Sequence, residues 1–266
     1  MGSFPQSIVH YLPVTDHDER WGIVCTTAGY QNVPPGSPYP LTQHPDSYSF
    51  TRSRGRVLGE YQLLYIVSGQ GEFRSASSPA APVKAGTVVM LFPDEWHTYA
   101  PAPETGWEEW WVGFRGENID RRVAEGFFSP KTPLLHIGHS AGIVSCYQEI
   151  IRSAEEERKG FQQLVTGIVL HLLGSVLFKR DNLQYLDNPI VEKINRAREM
   201  MRRHIGDNLP PEEIARRLNI GYTWFRRTFR AYVGIAPAQY QLQLRHNKAR
   251  ELLTTTDRTV SEIAAE

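Results

Sequence analysis

The segment 209–234 constrains the fold of this chain more than any other. Its sequence, LPPEEIARRLNIGYTWFRRTFRAYVG, divides into two short amphipathic helices, with Gly221 expected to allow the turn between them. Pro211 suits the first position of a helix because its missing N–H would have no helical partner there. In the second helix Phe225 and Phe229 are four residues apart and face inward. This layout predicts a helix-turn-helix, whose second helix enters the DNA major groove.

One strip of the second helix is a candidate DNA-contacting surface. Its members are spaced three, four and seven residues apart, and they are Thr223, Arg226, Arg227 and Arg230. Arginine binds guanine O6 and N7 in a bidentate way, which is the commonest specific base contact. Arg230 lies near the end of the helix and is expected to contact a phosphate. The alternative is an amphipathic hairpin with a solvated basic face. Trp224 is expected to pack against the supporting helices.

Charge is distributed unevenly, although 29 Lys and Arg balance 29 Asp and Glu overall. Residues 188–266 contain 14 basic and 9 acidic side chains, a net charge of +5, while residues 1–187 contain 15 and 20, a net charge of −5. A basic part joined to an acidic part is typical of a DNA-binding module attached to a module that binds another partner. With 41% hydrophobic residues, the composition is that of a globular protein.

Neither the cysteines nor the first residues indicate export. Cys25 and Cys146 are far apart and show no metal-binding or disulfide spacing. The start lacks the basic and apolar regions of a signal peptide, and Gln6 breaks the myristoylation pattern. The apolar stretch 164–178 is shorter than the roughly 20 residues that span a bilayer, so it predicts a buried or partner-facing helix. The expected location is the cytoplasm.

Residues 1–136 have the pattern of a β-domain. The sequence YQLLYIV at 61–67, followed by SGQGEF, predicts a strand, a glycine turn and a second strand. Further strands are predicted within 82–92 and 107–114. Short strands at this spacing are typical of a small sandwich or barrel.

From about Ser140 the apolar period becomes helical. A first helix is followed, after Gly160, by a second one over 161–177 whose wide apolar stripe is expected to be buried on the β-domain or on a second subunit. Residues 181–189, DNLQYLDNP, are polar and predict a linker. The helix predicted over 190–205 would support the helix-turn-helix from behind.

Two further helices are predicted. A long one begins near Pro237, and a capping box formed by Thr259 and Glu262 predicts another that begins at Val260. This order of helices resembles the AraC-type transcription regulators. The sequence IARRLNIGYTWFRRTFRAYVGIAPAQY is similar to that family's first helix-turn-helix, and RTVSEIAAE to the opening of its second.

The N-terminal part resembles the family's cupin-like effector domain through YQLLYIVSGQGEF, AGTVVMLFPDEWHTYAP and GWEEWWVGFRG. The predicted fold class is therefore α+β with two domains. These are a cupin-like β-barrel or sandwich with two following helices, and an all-α helix-turn-helix domain. The predicted boundaries are 1–136 for the effector-binding domain, 137–184 for a helical pair that mediates dimerisation, 185–189 for the linker and 190–266 for the DNA-binding domain.

The resemblance implies a ligand-responsive transcription regulator and not an enzyme. Its expected partners are double-stranded DNA, a small-molecule effector and a second copy in a homodimer, with RNA polymerase as a further candidate. Thr223, Arg226 and Arg227 occupy the family's base-reading positions. The family's second recognition helix would follow IAAE, so the second helix-turn-helix is expected to be incomplete in this sequence. The expected DNA contacts therefore fall on the first recognition helix. A ligand-binding module that does not bind DNA is the alternative.

The family's arabinose-sensing member implies a sugar or another small polar molecule as the effector. On that resemblance the positions at or near ligand contacts are Arg54 or Arg56, His97, Tyr99, Glu109 and Trp111. Trp111 is the expected stacking platform for the ligand. The alternative role of Trp111 is that of a core aromatic.

A metal-dependent cupin enzyme is the alternative from another class. Its site would need a His-x-His and Glu cluster followed by a later His. Residues 54–62 contain no His, and Gln62 occupies the position where the Glu is expected. Glu60 and His97 alone do not complete a three-ligand site. No metal, other cofactor or catalytic residue is therefore predicted.

Overall fold

The computed structural model describes residues 7–40, 48, 51, 53–185, 188–207 and 209–264. The chain divides into two compact units, Met1–Leu183 and Gln184–Glu266. The predicted linker falls beside this boundary, and its residues 186 and 187 lie outside the described part. So do the first six residues, on which the signal-peptide prediction depends.

Antiparallel strands form the body of the first unit. The strands are β1 (Ser7–Tyr11), β2 (Val24–Val33), β3 (Tyr61–Ser75), β4 (Ala81–Lys84), β5 (Thr87–Leu91), β6 (His97–Pro101), β7 (Trp107–Arg115) and β8 (Leu134–His136). They pair in the order β1-β2-β7-β3-β5-β8, and β4 and β6 pair with the second half of β3. The result is the cupin-like β-domain, with two short helices, α1 (Asp16–Glu19) and α2 (Glu117–Ala124), at its periphery.

The central strand β3 corrects the predicted glycine turn. It is continuous from Tyr61 to Ser75; its first half pairs with β5 and β7, and its second half with β4 and β6. A Cβ on Gly69 would lie 2.1 Å from the carbonyl oxygen of Gly106, and Gly69 has a φ of +79°. A glycine is needed here because the backbone around Gly106 approaches closely. At this point β3 changes from pairing with β5 and β7 to pairing with β4 and β6.

The sheet separates two hydrophobic cores because side chains alternate along its strands. Tyr65 and Trp110 lie in the core shared with the helices. Leu64 and Trp111, each one residue away along its strand, lie in the core on the opposite face. The functional cavity described below belongs to this second face.

Two long helices, α3 (Ala141–Glu156) and α4 (Phe161–Asn182), cover the first face. The Tyr147 hydroxyl donates to the carbonyl of Leu63 at 2.9 Å and fixes α3 on β3. Of the predicted apolar stripe of α4, Val165, Leu172 and Val176 are buried within this unit, whereas Leu164 is 52% exposed. The segment Phe161–Tyr185 also contains an 18-residue window with a mean hydropathy of 1.6, which is long and apolar enough to cross a membrane by length and composition alone.

Within its described residues, the second unit consists of helices joined by short turns. Its helices are α5 (Pro189–Arg203), α6 (Pro211–Arg217), α7 (Tyr222–Val233), α8 (Pro237–Thr255) and α9 (Val260–Ala264). The core that joins them contains Phe225 and Phe229 of α7 against Ile194 and Met201 of α5. The reciprocal hydrogen bonds between Thr259 and Glu262 match the predicted capping box.

Two local predictions in this unit are wrong. The left-handed residue of the turn between α6 and α7 is Asn219, with a φ of +52°, whereas Gly221 is extended with a φ of −68°. Asparagine tolerates the left-handed region better than other residues with a side chain. Trp224 is 39% exposed instead of packed in the core, because it precedes the inward-facing Phe225 on the helix.

Candidate functional site

A polar cavity lies on the face of the sheet opposite the helices. The cavity itself has a volume of about 20 Å³, and it lies in a recess whose empty space, open solvent included, is about 370 Å³. Residues from β1, β2, β3, β6, β7 and the segment after β2 surround it, and they are Val9, Tyr11, Thr27, Gln31, Tyr39, Pro40, Tyr48, Arg56, Gln62, Tyr99, Glu109 and Trp111. Aromatic rings and hydrogen-bonding groups thus share one small space, which is the composition of a site for an organic ligand.

Trp111 forms one wall of this cavity and rests on the backbone of β2. Its register partner across β2 and β7 is Gly29. A Cβ on Gly29 would lie 2.1 Å from the indole ring, so only glycine leaves room for the ring there. Trp111 is 8% exposed. The indole is therefore held in a fixed position at the edge of the cavity, as a stacking surface requires.

Arg56 organises one side of the cavity through its guanidinium group. Nη2 donates to the Tyr99 hydroxyl at 2.7 Å and to Oε1 of Gln62 at 3.3 Å. Nη1 donates to the carbonyl of Tyr48 at 2.7 Å, and Nε donates to Nε2 of His97 at 3.2 Å. The positive charge is thus fixed in place by several neutral acceptors.

His97 supports Arg56 and does not itself line the cavity. Its side chain is 1% exposed, and its Nδ1 lies 3.0 Å from the carbonyl of Glu95. Burial, with the adjacent charge of Arg56, lowers the pKa of His97 to about 4. A neutral imidazole follows, which donates from Nδ1 to Glu95 and accepts at Nε2 from Arg56. Both ring nitrogens are therefore already engaged.

The described part of the chain offers no group of three or more His, Cys, Asp or Glu side chains that would hold a metal ion. Glu60, the carboxylate considered for such a site, is 4% exposed and accepts hydrogen bonds from Thr27, Tyr48 and Gln62. Its oxygens serve this network.

Glu109 is a buried carboxyl on the other side of the cavity and is 1% exposed. Its Oε1 accepts hydrogen bonds from Nε2 of Gln31 and, at 2.9 Å, from the Tyr39 hydroxyl. Burial raises the pKa of Glu109 to about 7, although these two hydrogen bonds and the charge of Arg56 lower it. The Trp107 N–H also lowers the pKa of Glu109, yet it does not reach hydrogen-bond geometry.

The structure brings together four of the six predicted ligand contacts. Arg56, Tyr99, Glu109 and Trp111 all line the cavity. His97 contacts Arg56 from behind. The side chain of Arg54 is exposed and does not line the cavity; its carbonyl accepts a hydrogen bond from the Trp96 indole. Of Arg54 and Arg56, Arg56 is the one that lines the cavity.

Several residues that line the cavity are not among those predicted from the sequence, and Gln31 and Tyr39 are two of them. The signal for Gln31 was the period-two pattern of VCTTAGYQNV, which places Thr27, Gly29 and Gln31 on one face of β2. Tyr39 lies outside the strands, where no periodicity marks it. It reaches the cavity through the loop that follows β2.

The candidate DNA-contacting strip is exposed on α7. Thr223, Arg226, Arg227 and Arg230 all point away from the helical core. Among the described residues, no carboxylate lies within 4.0 Å of the guanidinium groups of the three α7 arginines. By contrast, Arg216 and Arg217 of α6 pair with Glu213 at 2.7 and 2.8 Å. The arginines of α7 are thus available for an anionic partner.

Curated relatives are similar to this chain over most of its length. The Msm operon regulatory protein of Streptococcus mutans is 22% identical over 78% of this chain and 75% of its own. The raffinose operon transcriptional regulatory protein RafR of Pediococcus pentosaceus is 22% identical over 81% of this chain and 79% of its own. The MmsAB operon regulatory protein of Pseudomonas aeruginosa is 24% identical over 77% and 66%.

Solved structures match at lower similarity. Fatty-acid-bound ToxT from Vibrio cholerae is 12% identical and covers 99% of this chain and 87% of its own, with a TM-score of 0.31. A cupin family protein from Methanocaldococcus jannaschii is 14% identical and covers 45% of this chain and 93% of its own, with a TM-score of 0.29.

The family matches agree with the two structural units. The family described as AraC-like ligand binding domain matches residues 35–173, more than half of the chain, and the family described as helix-turn-helix domain matches residues 214–266. With a cupin-like β-domain followed by a helix-turn-helix, this chain belongs to the AraC-type family of transcriptional regulators.

Proposed function

We propose that this regulator responds to a sugar or a similar small polyhydroxylated molecule bound in the cavity. The observation that carries the proposal is the Trp111 indole, held on Gly29 beside a ring of polar side chains. A sugar has apolar ring faces and hydroxyl edges, so it would stack on the indole while Arg56, Tyr99 and Glu109 hold its hydroxyls. The relative named as a raffinose operon regulator supports the same class of effector.

The position of the cavity supports a way for the effector to act on the rest of the chain. Adjacent residues of β7, Trp110 and Trp111, lie in the helix-facing core and the cavity-facing core respectively. An effector that shifts β7 through its contact with Trp111 would therefore bias the packing of α3 and α4 on the other side of the sheet. It would shift the equilibrium by no more than its difference in affinity for the two arrangements.

We also propose the roles of the α7 residues on DNA. Arg226 and Arg227 would contact base edges together with Thr223, and Arg230 would contact a phosphate. Their exposure and the lack of carboxylate partners for the three arginines support these roles. A major-groove helix reaches bases with only three or four side chains, which matches the size of this strip.

We further propose that the regulator acts as a homodimer through α4, with RNA polymerase as a later partner. The exposed positions Leu164, His171 and Phe178 are seven residues apart, with Gly167 and Gly174 between them. Leu164 is 52% exposed and Phe178 is 69% exposed. A seven-residue repeat places these side chains on one stripe, which suits the same stripe of a second copy.

Titration of the full chain with a panel of neutral pentoses, hexoses and small oligosaccharides tests the effector class. We expect one sugar to change the tryptophan fluorescence and to release or absorb heat in calorimetry. Trp111→Phe should reduce both the fluorescence response and the affinity, whereas Trp21→Phe, at an exposed position, should change neither. If no sugar in the panel gives either signal, the sugar class is rejected.

A further inference from the structure

Two acceptor atoms on side chains that line the cavity have no hydrogen-bond partner among the described residues. They are Oε1 of Gln31 and Oε2 of Glu109, which belong to side chains only 3% and 1% exposed. Buried polar atoms are almost always paired, because an unpaired one loses its hydrogen bonds to water without compensation. Both residues line the cavity. The unpaired atoms thus mark where a bound molecule would supply donors.

The surrounding contacts fix Oε1 of Gln31 as an acceptor, and they leave Oε2 of Glu109 as an acceptor wherever its carboxyl is ionised, which is above its pKa of about 7. Nε2 of Gln31 donates to Oε1 of Glu109, so the amide oxygen of Gln31 is directed elsewhere. Turning the amide over would place two oxygens against each other. Tyr39 also donates to Oε1 of Glu109, which leaves Oε2 as the oxygen without a donor.

The nearby Trp107 N–H does not remove this excess of acceptors. Among the described residues, Trp107 supplies one unpaired buried donor close to Glu109, whereas Gln31 and Glu109 together present two unpaired acceptors. If it moved onto Glu109, Oε1 of Gln31 would still lack a donor. Gln62, the other glutamine of the cavity, differs because its Oε1 accepts from Arg56 and its Nε2 donates to Glu60.

We propose that Gln31 and Glu109 form an acceptor pair that selects the effector by two hydroxyl groups on neighbouring carbons. The inference rests on the proposed sugar site and adds its specificity. The two side chains are joined by a hydrogen bond, so their free oxygens belong to adjacent groups and suit adjacent donors. A neutral diol supplies both donors. A sugar acid that places a carboxylate here supplies none. At pH 8, where the test below is run, it also meets the ionised carboxylate of Glu109, so it is excluded.

The test uses calorimetry at pH 8 on the full chain with the tightest sugar from a defined panel: D-galactose, D-glucose, D-xylose, L-arabinose and their uronates. Single deoxy and single O-methyl derivatives of that sugar are then titrated into the wild type, Gln31→Met and Gln62→Met. We expect two adjacent positions at which either derivative weakens binding to the wild type by about 3- to 10-fold. The uronates should bind at least about 10-fold more weakly than the parent sugar.

The glutamine variants then assign one of these hydroxyls. In Gln31→Met, deleting the hydroxyl that contacts Gln31 should cause no further loss, because its partner is already gone. Gln62→Met, matched in size and in the same cavity, should keep the wild-type ratio between the sugar and its derivative. Circular dichroism checks that each variant is folded, and the derivative series on the wild type stands even if a variant is not.

The outcomes separate this inference from the proposed function. A sugar that binds but loses affinity at no pair of adjacent positions overturns the acceptor pair and leaves the sugar site intact. The same holds if Gln31→Met discriminates among the derivatives as the wild type does, or if a uronate binds more tightly than its neutral sugar. If no sugar binds the wild type, both the sugar site and the acceptor pair are rejected.

Discussion

At the scale of single residues, two titratable groups at the cavity act in opposite directions on stability. Burial raises the pKa of Glu109 to about 7, and burial with the charge of Arg56 lowers the pKa of His97 to about 4. Between its ordinary pKa and about 7, Glu109 binds more protons in the folded state, so its contribution to stability falls as pH rises. His97 binds fewer protons when folded, so its contribution falls as pH decreases from about 6.5 to 4.

Glu109→Gln isolates the first of these effects. In the wild type we expect ionisation of Glu109 to cost about 3 kcal/mol of unfolding free energy between pH 4.5 and 7, relative to the variant. Urea unfolding of both proteins at pH 5, 6, 7 and 8 measures this difference. The variant should gain stability over the wild type as pH rises. A difference that is constant over the whole range would contradict a carboxyl that titrates near neutral pH.

On α7 the effect of a single arginine is expected on DNA binding. Arg227→Ala should weaken binding to a selected duplex by about 1–3 kcal/mol while changing binding to a scrambled duplex less. Fluorescence anisotropy at one fixed salt concentration measures both, with the duplex obtained by selection from a random library. Arg216→Ala is the control, because Arg216 already pairs with Glu213. It should change the affinity for either duplex only slightly. Equal losses on the two duplexes would assign Arg227 to phosphate contact only.

At the scale of elements, the helices could be predicted from the sequence more readily than the strands. Apolar residues of α4 and α7 recur over several turns, and caps such as Thr259 mark an end. By contrast, β2 was missed, because its alternating face is made of small and polar residues such as Gly29 and Gln31 instead of apolar ones. The continuity of β3 was also missed, since whether Gly69 forms a turn or a close approach depends on Gly106, which is distant in sequence.

The same limit applies to the cavity. Four of its predicted residues lie on β6, β7 or just before β3, within motifs that the family resemblance covers. The pairing of β2 with β7 brings Gln31 to these residues, and the loop after β2 brings Tyr39. The local pattern of β2 indicates the face on which Gln31 lies, but it does not encode which residues it contacts. The hydrogen bond between Gln31 and Glu109 joins residues 78 positions apart. Its existence depends on the register of β2 against β7.

The contact between α4 and β2 gives a test at this scale. Gln162 is 2% exposed, accepts from the N–H of Cys25 at 3.0 Å, and donates to the carbonyls of Cys25 and Pro13 at 2.9 Å. These bonds serve backbone groups at the register shift of β2. Gln162→Leu leaves them buried and unpaired, so we expect a loss of about 3–5 kcal/mol in unfolding free energy.

Urea unfolding checks this loss, with Gln163→Leu as the matched control. Gln163 is the next residue on the same helix and donates to the exposed Asp18 at 2.9 Å. Its substitution should cost less than about 1 kcal/mol, because Asp18 can bond to water instead. Similar losses in the two variants would show that Gln162 is no special anchor of α4.

At the scale of the whole molecule, the proposed function requires two copies of the chain to meet through an exposed face. The stripe of α4 formed by Leu164, His171 and Phe178 lies on the side of the helix opposite its buried residues. In the double variant Leu164→Glu/Phe178→Glu, the dimer would lose apolar contacts and would bring carboxylates of the two copies close together, so it is disfavoured. We expect this double variant to be monomeric by analytical ultracentrifugation at concentrations where the wild type is dimeric.

The cavity proposed as the effector site lies on the other face of the sheet, so the double variant should keep the effector affinity of the wild type. Its affinity for a duplex with paired half-sites should fall, whereas its affinity for a single half-site should not. Phe127→Glu changes an aromatic side chain that is 55% exposed elsewhere on the same unit, and it should leave the dimer intact. A wild type that is monomeric over the whole concentration range, or a double variant that stays dimeric, would exclude α4 as the dimer interface.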